Sequence, residues 1–374
     1  MKLSIPKNEL QKGLARLQSI VEKRSTMPIL ANVLLEATNE SGHGVLSLAA
    51  TDLEVGIRST HPASIETPGA ITTSAKKIYE IVRELPDESI QIEVSSNAFL
   101  RITCARVEFN LAGTTAEEYP TLPAFSSDHL ILIQPLILSE MIEKTMYAAC
   151  MDETRYNLNG VYLEHLSDTE KLRMVATDGH RLAYIDRFLG TDLTSLPAGV
   201  IIPRKGLAEL KHLVDEDDGN DFKISFDETS GIASRDNVTL FMRLIEGEFP
   251  TYQQVIPREI SHQLIINKDE FLRAIRRVAL LSAERSHAIR LDLTENHIRL
   301  SSNNPDLGEA REDLDVDYAG SELSIAFNAH YLIDALTVIH AKEVYLGFHD
   351  PLSPARMIPT DDDDTLAVVM PMRV

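Results

Sequence analysis

The chain repeats one pattern of residues three times, at a spacing of roughly one small domain. A strand-like run that enters a turn recurs at residues 48–52 (LAATD), 174–178 (MVATD) and 300–304 (LSSNN), and the two intervals are equal. An extended segment with an amphipathic helical pattern, and later a second helical pattern, recur in step with it. Equal spacing of several landmarks predicts duplicated domains, each built as strand, helix, strands, helix, strands. The predicted domains are residues 1–126, 127–257 and 258–374.

The composition is that of a folded chain with reduced thiols. Hydrophobic residues make up 44% of the 374 positions, which is enough for several cores. Cys104 and Cys150 lie in different repeats and follow no metal-ligand spacing, so both are predicted to be buried thiols outside any disulfide. No secretory signal and no apolar run of membrane-spanning length is recognisable. We therefore expect a cytoplasmic protein without a metal or other cofactor.

The net charge argues at first against nucleic acid as a partner, because 36 basic residues against 57 acidic ones give −21. The placement of the basic residues reverses that impression. On the first predicted helix the leucines fall on one face, and Lys12 and Arg16 fall roughly opposite to them. Arg273 and Arg277 occupy the equivalent positions of the third repeat. Further basic residues on the second predicted helices are Lys76, Lys77, Arg204, Lys205 and Lys211.

An acidic body with basic helices would repel DNA everywhere except along those helices. There each phosphate contact adds affinity that depends on salt and not on base sequence. No zinc-finger ligand set, helix-turn-helix pattern or aromatic RNA-binding motif is recognisable. The pattern therefore predicts a protein that holds DNA without reading it.

Two other classes of protein stay open on the residues alone. One is an acidic enzyme with Asp178 and His180 as an acid–base pair and with Asp361 to Asp364 binding a divalent cation. No nucleophile motif, second carboxylate pair or glycine-rich phosphate loop accompanies that pair. We therefore interpret residues 177–181 as a tight connection after a strand, and the acidic run as a solvated loop. The other class is a monomeric peptide-binding scaffold.

Several strings in the chain resemble those of the bacterial β sliding clamp, the processivity subunit of DNA polymerase III. The strings are residues 155–160 (RYNLNG), 175–182 (VATDGHRL), 202–206 (IPRKG), 249–252 (FPTY) and 368–374 (VVMPMRV). The resemblance implies an α+β DNA clamp fold of three domains, each with two antiparallel sheets and two helices. It also implies that two protomers pair head to tail into a closed ring around duplex DNA. Such a protein has no substrate and tethers the polymerase to its template.

The resemblance implies DNA contacts and a subunit interface as well. The DNA-facing positions predicted from helix placement and resemblance together are Lys12, Arg16, Arg24, Lys76, Tyr156, Asn157, Arg204, Lys205, Arg273 and Arg277. Asp152, where relatives carry other residues, would repel a phosphate and is left out. The predicted dimer interface joins Phe109 and Leu111 of one protomer to Leu280 and Leu281 of its partner.

Partners of the family dock through short linear motifs into an apolar cleft between the second and third domains. The partners implied are the polymerase α subunit, the clamp loader, and other polymerases and repair proteins. Flexible, polarizable Met370 and Met372 suit a surface that accepts different peptides. Gln254 stands where some relatives have a basic residue, which removes a partner for a peptide carboxylate. The predicted peptide-binding residues are Arg155, Leu158, Thr177, Gly179, His180, Arg181, Leu182, Pro250, Val255, Val368, Val369, Met370, Pro371 and Met372.

Overall fold

The computed structural model describes residues 1–21, 27–40, 43–95, 97–122, 130–193, 196, 199–216 and 220–373. The chain divides into two compact units. Unit 1 comprises Met1–Pro135 and Ala208–Leu244, and unit 2 comprises Leu136–Leu207 and Ile245–Val374. The middle repeat contributes to both units, and the three predicted domain boundaries stay a prediction.

The described residues contain two α-helices for each repeat, as the paired helical patterns predict. Side-chain caps begin three of them: Ser74, Asn267 and Asn328 each accept a hydrogen bond from a backbone N–H of the first turn. The helices are α1 (Lys7–Leu17), α2 (Ala75–Glu84), α3 (Pro135–Met146), α4 (Arg204–Asp215), α5 (Lys268–Ala279) and α6 (Ala329–Thr337).

Unit 1 contains one antiparallel sheet, in the order β10-β15-β16-β17-β4-β3-β2-β6-β9-β8-β7-β1-β5. Strands from the first and second repeats meet at its β17–β4 pair, so the two repeats share a continuous sheet. The strands are β1 (Lys2–Pro6), β2 (Asn32–Glu40), β3 (His43–Thr51), β4 (Val55–Pro62), β5 (Ser64–Thr67), β6 (Gly69–Ser74), β7 (Ser89–Val94), β8 (Phe99–Cys104), β9 (Val107–Thr114), β10 (Ile131–Ile133), β15 (Phe222–Phe226), β16 (Ser230–Arg235) and β17 (Val238–Arg243).

Unit 2 contains two antiparallel sheets, in the orders β14-β11-β12-β13-β25-β24-β23-β18 and β21-β20-β19-β22. The β13–β25 pair joins the second repeat to the third in the same way as β4–β17 joins the first to the second. The strands are β11 (Gly160–Leu166), β12 (Lys171–Thr177), β13 (Arg181–Phe188), β14 (Val200–Pro203), β18 (His262–Asn267), β19 (Ala288–Thr294), β20 (His297–Asn304), β21 (Gly308–Asp315), β22 (Leu323–Asn328), β23 (Glu343–Phe348), β24 (Ala355–Pro359) and β25 (Thr365–Val369).

The repeated LAATD and MVATD strings form equivalent hairpin turns, β3–β4 and β12–β13. Thr51 donates its hydroxyl hydrogen to the carbonyl of Val55 at 2.9 Å, while the Asp52 carboxylate accepts from two backbone N–H groups of the turn. Thr177 and Asp178 make the same hydrogen bonds one repeat later. A Thr-Asp pair therefore recurs because both side chains hold the turn closed. The prediction of a tight connection at 177–181 is confirmed.

The third copy of the turn differs at one backbone angle. Leu53 and Gly179 have φ of 78° and 86°, and Pro305 at the equivalent position cannot take a positive φ. Asn304 still caps the turn by accepting from the N–H of Asp306, but β21 begins only at Gly308. The change from Thr-Asp to Asn-Asn thus accompanies a connection of the same three residues, shifted by one position along the chain.

The acidic run before the last strand is bound to basic side chains, so the prediction of a solvated loop is wrong for Asp362 and Asp364. Asp362 accepts from Lys144 at 3.0 Å and from Arg187 at 2.7 Å, and Lys171 contacts Asp364 at 2.7 Å. Burial alone would raise the pKa of the Asp362 carboxyl, but its hydrogen bonds from basic and hydroxyl groups hold that pKa well below the usual value. No group of side chains in the described ranges has a metal-binding arrangement.

Two further expectations concern the cysteines and membranes. Cys104 and Cys150 are buried thiols, as predicted. Among the described helices, none combines the length and apolar character needed to cross a bilayer.

Candidate functional site

The TDGHR turn and the C-terminal strand come together in unit 2. Strand β25 adds to the edge of β13, with Leu182 opposite Val368 and Arg181 opposite Val369. The chain then continues beside the turn, because the N–H of Met370 donates to the carbonyl of His180 at 2.8 Å. The predicted peptide-binding residues of the second and third repeats are therefore neighbours through backbone pairing.

Alternation along β25 sends its side chains into two different cores. Val368 packs in one cluster with Leu182 and Tyr252. Val369 lies in the separate core of the third repeat and is 1% exposed. Its place in the predicted peptide site is corrected here, because successive residues of a strand point to opposite faces.

Arg181 is buried, and its side chain links neighbouring elements instead of facing solvent. Its side chain is 8% exposed, and its guanidinium binds the carboxylates of Asp178 and Asp334. It also lies over the ring of Tyr331 on α6, with its Cζ 4.7 Å from the ring centroid. Burial raises the pKa of the nearby Tyr147 phenol. The residue therefore joins the turn to α6.

The exposed side of the turn is formed by Arg155, Gly179 and His180. Arg155 donates to the carbonyl of Asp178 at 2.7 Å. A Cβ at position 179 would lie 2.9 Å from Nη2 of the Arg155 side chain, and φ there is positive, so both features favour glycine. The His180 ring stacks on Tyr331 with 6.2 Å between centroids.

An open groove of about 630 Å³ brings together Val255 and Met370. Both side chains are exposed, although most large apolar side chains of unit 2 are buried. The sequence pointed to Gln254, which also lines the groove, but sequence reasoning missed the other lining residues, which have no shared motif and come from two separated segments. They are Ile256, Pro257, Arg258, Glu259, His349, Ser353 and Pro354.

The other predicted peptide-binding residues differ in exposure. Leu158 and Thr177 are buried, and Pro250 is exposed. Pro371 and Met372 are half-buried, and the N–H of Met372 donates to the carbonyl of Ala326 at 2.7 Å. The segment after β25 is thus fixed at two points by backbone hydrogen bonds.

On α1, the two predicted DNA-facing residues have different surroundings. Lys12 is exposed, and it has no ion-pair partner among the described residues. The Arg16 side chain is only 8% exposed, and its Nε donates to Glu216 at 2.7 Å. The expectation of an outward, solvated cation is wrong for Arg16, because residues after α4 cover it.

On α5, Arg273 and Arg277 are exposed as predicted. Arg273 donates from Nε to the backbone carbonyl of Asp269. Arg277 forms a two-point ion pair with Glu312 of β21, with one contact at 2.8 Å. The second residue of each predicted DNA-facing pair, Arg16 on α1 and Arg277 on α5, thus has a carboxylate partner.

The remaining DNA-facing candidates are scattered over several elements. Lys76 lies 3.8 Å from Glu80 on the exposed face of α2. Tyr156 is exposed, and Asn157 donates to the carbonyl of Glu248 at 3.2 Å. Arg204 and Lys205 are half-buried at the start of α4, and Arg24 lies outside the described residues.

Each unit has a strand with an unpaired edge near predicted dimer residues. In unit 1, β9 pairs with β8 along 107–112, and with β6 only at Gly113 and Thr114, which leaves one edge open beside Phe109. In unit 2, β21 is the end strand of its sheet. Leu280, just after α5, is 78% exposed, while Leu281 and Leu111 are half-buried.

Repeats of this kind, with paired helices and sheets that continue from one repeat to the next, define the DNA clamp fold. Comparison with known proteins identifies the family. Models of the DNA polymerase III beta subunit match the chain at residues 1–123 (N-terminal domain), 133–251 (central domain) and 253–373 (C-terminal domain). The chain belongs to the DNA polymerase III beta subunit family, the bacterial beta sliding clamps.

Relatives match over the full length of both chains. The beta sliding clamp of Caulobacter vibrioides is 37% identical over 378 residues, and that of Escherichia coli K12 is 32% identical over 376, each with 100% of both chains covered. Among solved structures, the DNA polymerase III subunit beta from Pseudomonas aeruginosa has a TM-score of 0.94 at 34% identity, with 100% of both chains covered. A sliding clamp from Bartonella birtlesii bound to griselimycin has a TM-score of 0.94 at 35% identity, again with 100% of both covered.

Proposed function

We propose that the protein is a sliding clamp, a non-catalytic processivity factor that surrounds duplex DNA as a closed homodimer and tethers the replicative polymerase to it. The observation that carries this proposal is the pair of open strand edges, β9 and β21, each beside exposed apolar side chains. An open edge presents unpaired N–H and C=O groups and is a template for another strand. If β9 of one protomer meets β21 of the next, the same contact made twice closes a two-fold ring. As a replication protein it would act in the cytoplasm.

Retention on DNA would then be topological, and the basic helices would need to contribute only weak contacts with phosphates. Support comes from the exposed Lys12 and Arg273, which stand at equivalent positions on α1 and α5. Contacts of this kind are independent of base sequence and weaken with salt.

Partners would bind at the surface formed by the TDGHR turn, Val255 and Met370. This surface offers exposed apolar side chains next to a rigid, hydrogen-bonded turn, which suits anchoring of an extended peptide by a few residues. The partners proposed are the polymerase α subunit, the clamp loader, and other polymerases and repair proteins. Each would use a short linear motif with hydrophobic side chains.

The test is retention of the loaded protein on circular and on linear DNA of the same sequence. We expect a loaded clamp to stay on nicked circular DNA through gel filtration and to leave within minutes once the DNA is cut by a restriction enzyme. Equal loss from the two forms would contradict the ring. A blocked linear end, made with a bound protein, should restore retention and serves as the control.

A further inference from the structure

Of the two predicted DNA-facing residues on each of the helices α1 and α5, the second is held by a carboxylate from a different element. Arg16 and Arg277 are equivalent positions of the first and third repeats. Glu216 follows α4 and Glu312 lies on β21, so the two carboxylates are not equivalent to each other in the repeat. The two equivalent arginines therefore form ion pairs with carboxylates from two non-equivalent positions in the fold.

Arg16 is held in a small, enclosed site within unit 1. Its Nε donates to Glu216 at 2.7 Å, while its buried Nη1 has no hydrogen-bond partner among the described residues. Lys12 and Arg235 line the same cavity of about 50 Å³. A guanidinium nitrogen without an acceptor is costly when buried, so Arg16 retains donor capacity that a further oxygen could use.

Arg277 is held in an open site within unit 2. Both its Nε and its Nη2 donate to the two oxygens of Glu312, although the Arg277 side chain is 57% exposed. The hydrogen bond from Arg277 lowers the pKa of the Glu312 carboxyl, so Glu312 is ionised at neutral pH. Paired forks of this kind are the geometry that guanidinium also uses for phosphate.

The first residue of each predicted DNA-facing pair lacks such a partner. Neither Lys12 nor Arg273 has an ion pair with any residue in the described ranges, and Arg273 bonds only a backbone carbonyl of its own helix. Each pair therefore consists of one cation open to phosphate and one that is already neutralised.

We propose that Glu216 and Glu312 are affinity-setting residues of the DNA-facing surface, which compete with backbone phosphates for Arg16 and Arg277. The inference rests on the proposed function and adds its regulation. A phosphate that takes the guanidinium nitrogens now bonded to Glu216 or Glu312 must replace a carboxylate, and the exchange of one charge-assisted hydrogen bond for another yields little net free energy. A ring that must slide gains from this arrangement, because tight phosphate contacts at successive positions would slow its movement.

The test measures binding of a fluorescent linear duplex by anisotropy across a salt series. Glu312→Gln should tighten binding several-fold at low salt, and the slope of log K against log salt should steepen by about one for the arginine released. Glu216→Gln should act in the same direction, measured below its own thermal midpoint because the variant leaves the buried Arg16 without a counter-charge. Light scattering must give a dimer for each variant, because Glu312 lies on β21, the strand proposed for the subunit contact. In single-molecule tracking, clamps loaded with either variant should diffuse along DNA more slowly than wild type.

Removal of a negative charge by itself also favours DNA binding. Two controls therefore distinguish this general charge effect from release of the arginine. Glu295→Gln removes the same charge from an exposed hairpin turn and should leave the salt slope unchanged. In an Arg277→Gln background, Glu312→Gln should lose its effect. If it tightens binding equally there, or if neither variant alters affinity in the wild-type background, the proposal is overturned.

The outcome is distinguishable from failure of the clamp function itself. Normal retention on circular DNA with unchanged affinity of both variants would refute only the competition by Glu216 and Glu312. Loss of retention by the wild-type protein would instead refute the ring.

Discussion

At the scale of single residues, the burial and ion pairing of a charged side chain depend on which other residues the fold places beside it. Arg16 and Arg277 have equivalent sequence positions, but one is buried against Glu216 and the other is exposed beside Glu312. Asp362 was expected in solvent, yet it is 17% exposed and bonded to Lys144 and Arg187. These carboxylates come from far along the chain, and no local pattern marks them as partners.

The Asp362 network predicts a large effect of a small substitution. Asp362→Asn should destabilise the protein by about 2–4 kcal/mol, because it leaves Lys144 and Arg187 nearly buried without a full counter-charge. The measurement is the shift of the thermal midpoint at pH 7. Asp363→Asn, on the exposed neighbour, changes the same charge and should shift the midpoint little.

The same network predicts a pH dependence with a definite sign. The pKa of Asp362 is lower in the folded protein than the ordinary 3.8, so its stabilisation is complete above that value and is lost as pH falls below it. The difference in thermal midpoint between wild type and Asp362→Asn should therefore shrink as pH is lowered from 5 to about 3. A constant difference over that range would show that the ion pairs do not produce it.

At the scale of elements, the partner surface depends on two hairpin strands and the segment that follows β25. The turn at 178–180 is fixed by its own hydrogen bonds, and the backbone of Met370 is fixed to the turn. Strand β25 itself ends at Val369 inside a core, so the residues after it lie outside the strand.

Truncation after Val369 should therefore abolish peptide binding and spare the dimer. We expect at least a tenfold loss of affinity for a fluorescent polymerase peptide, because Met370 and its neighbours supply the exposed apolar contacts. Light scattering should still give the mass of a dimer. Phe188→Ala is the matched control, since Phe188 is 63% exposed at the other end of β13 and should not alter peptide affinity. Undiminished binding by the truncated chain would place the peptide elsewhere.

At the scale of the whole molecule, the sheets continue from one repeat into the next through β4–β17 and β13–β25, and strands β9 and β21 retain open edges. Antiparallel strand pairs already join the first repeat to the second and the second to the third. The strand edges that remain for a subunit contact therefore lie on the first and third repeats. The exposed Phe109 lies on β9, and the exposed Leu280 follows α5, which packs beside β21.

Leu280→Asp with Leu281→Asp should convert the dimer into a monomer, because two carboxylates would have to be buried at an apolar contact. Light scattering at micromolar concentration gives the mass directly. Leu352→Asp is the control: Leu352 is 68% exposed on a turn of unit 2, and its variant should remain dimeric. A wild-type protein with the mass of one protomer would refute the interface before any variant is made.

The sequence by itself determined the repeated fold, since equally spaced strings, helix periodicity and turn residues are local properties. The Thr-Asp turns and the apolar face of α1 could be predicted because each depends on neighbours within a few residues. The family resemblance added the partner surface and the subunit contact. Only the tertiary structure decided that Val369 faces away from that surface, that Arg181 connects the turn to α6, and that Glu216 and Glu312 neutralise Arg16 and Arg277. The physical reason is that burial and ion pairing depend on which distant segments meet. A helical or strand-like periodicity in the sequence does not specify those contacts.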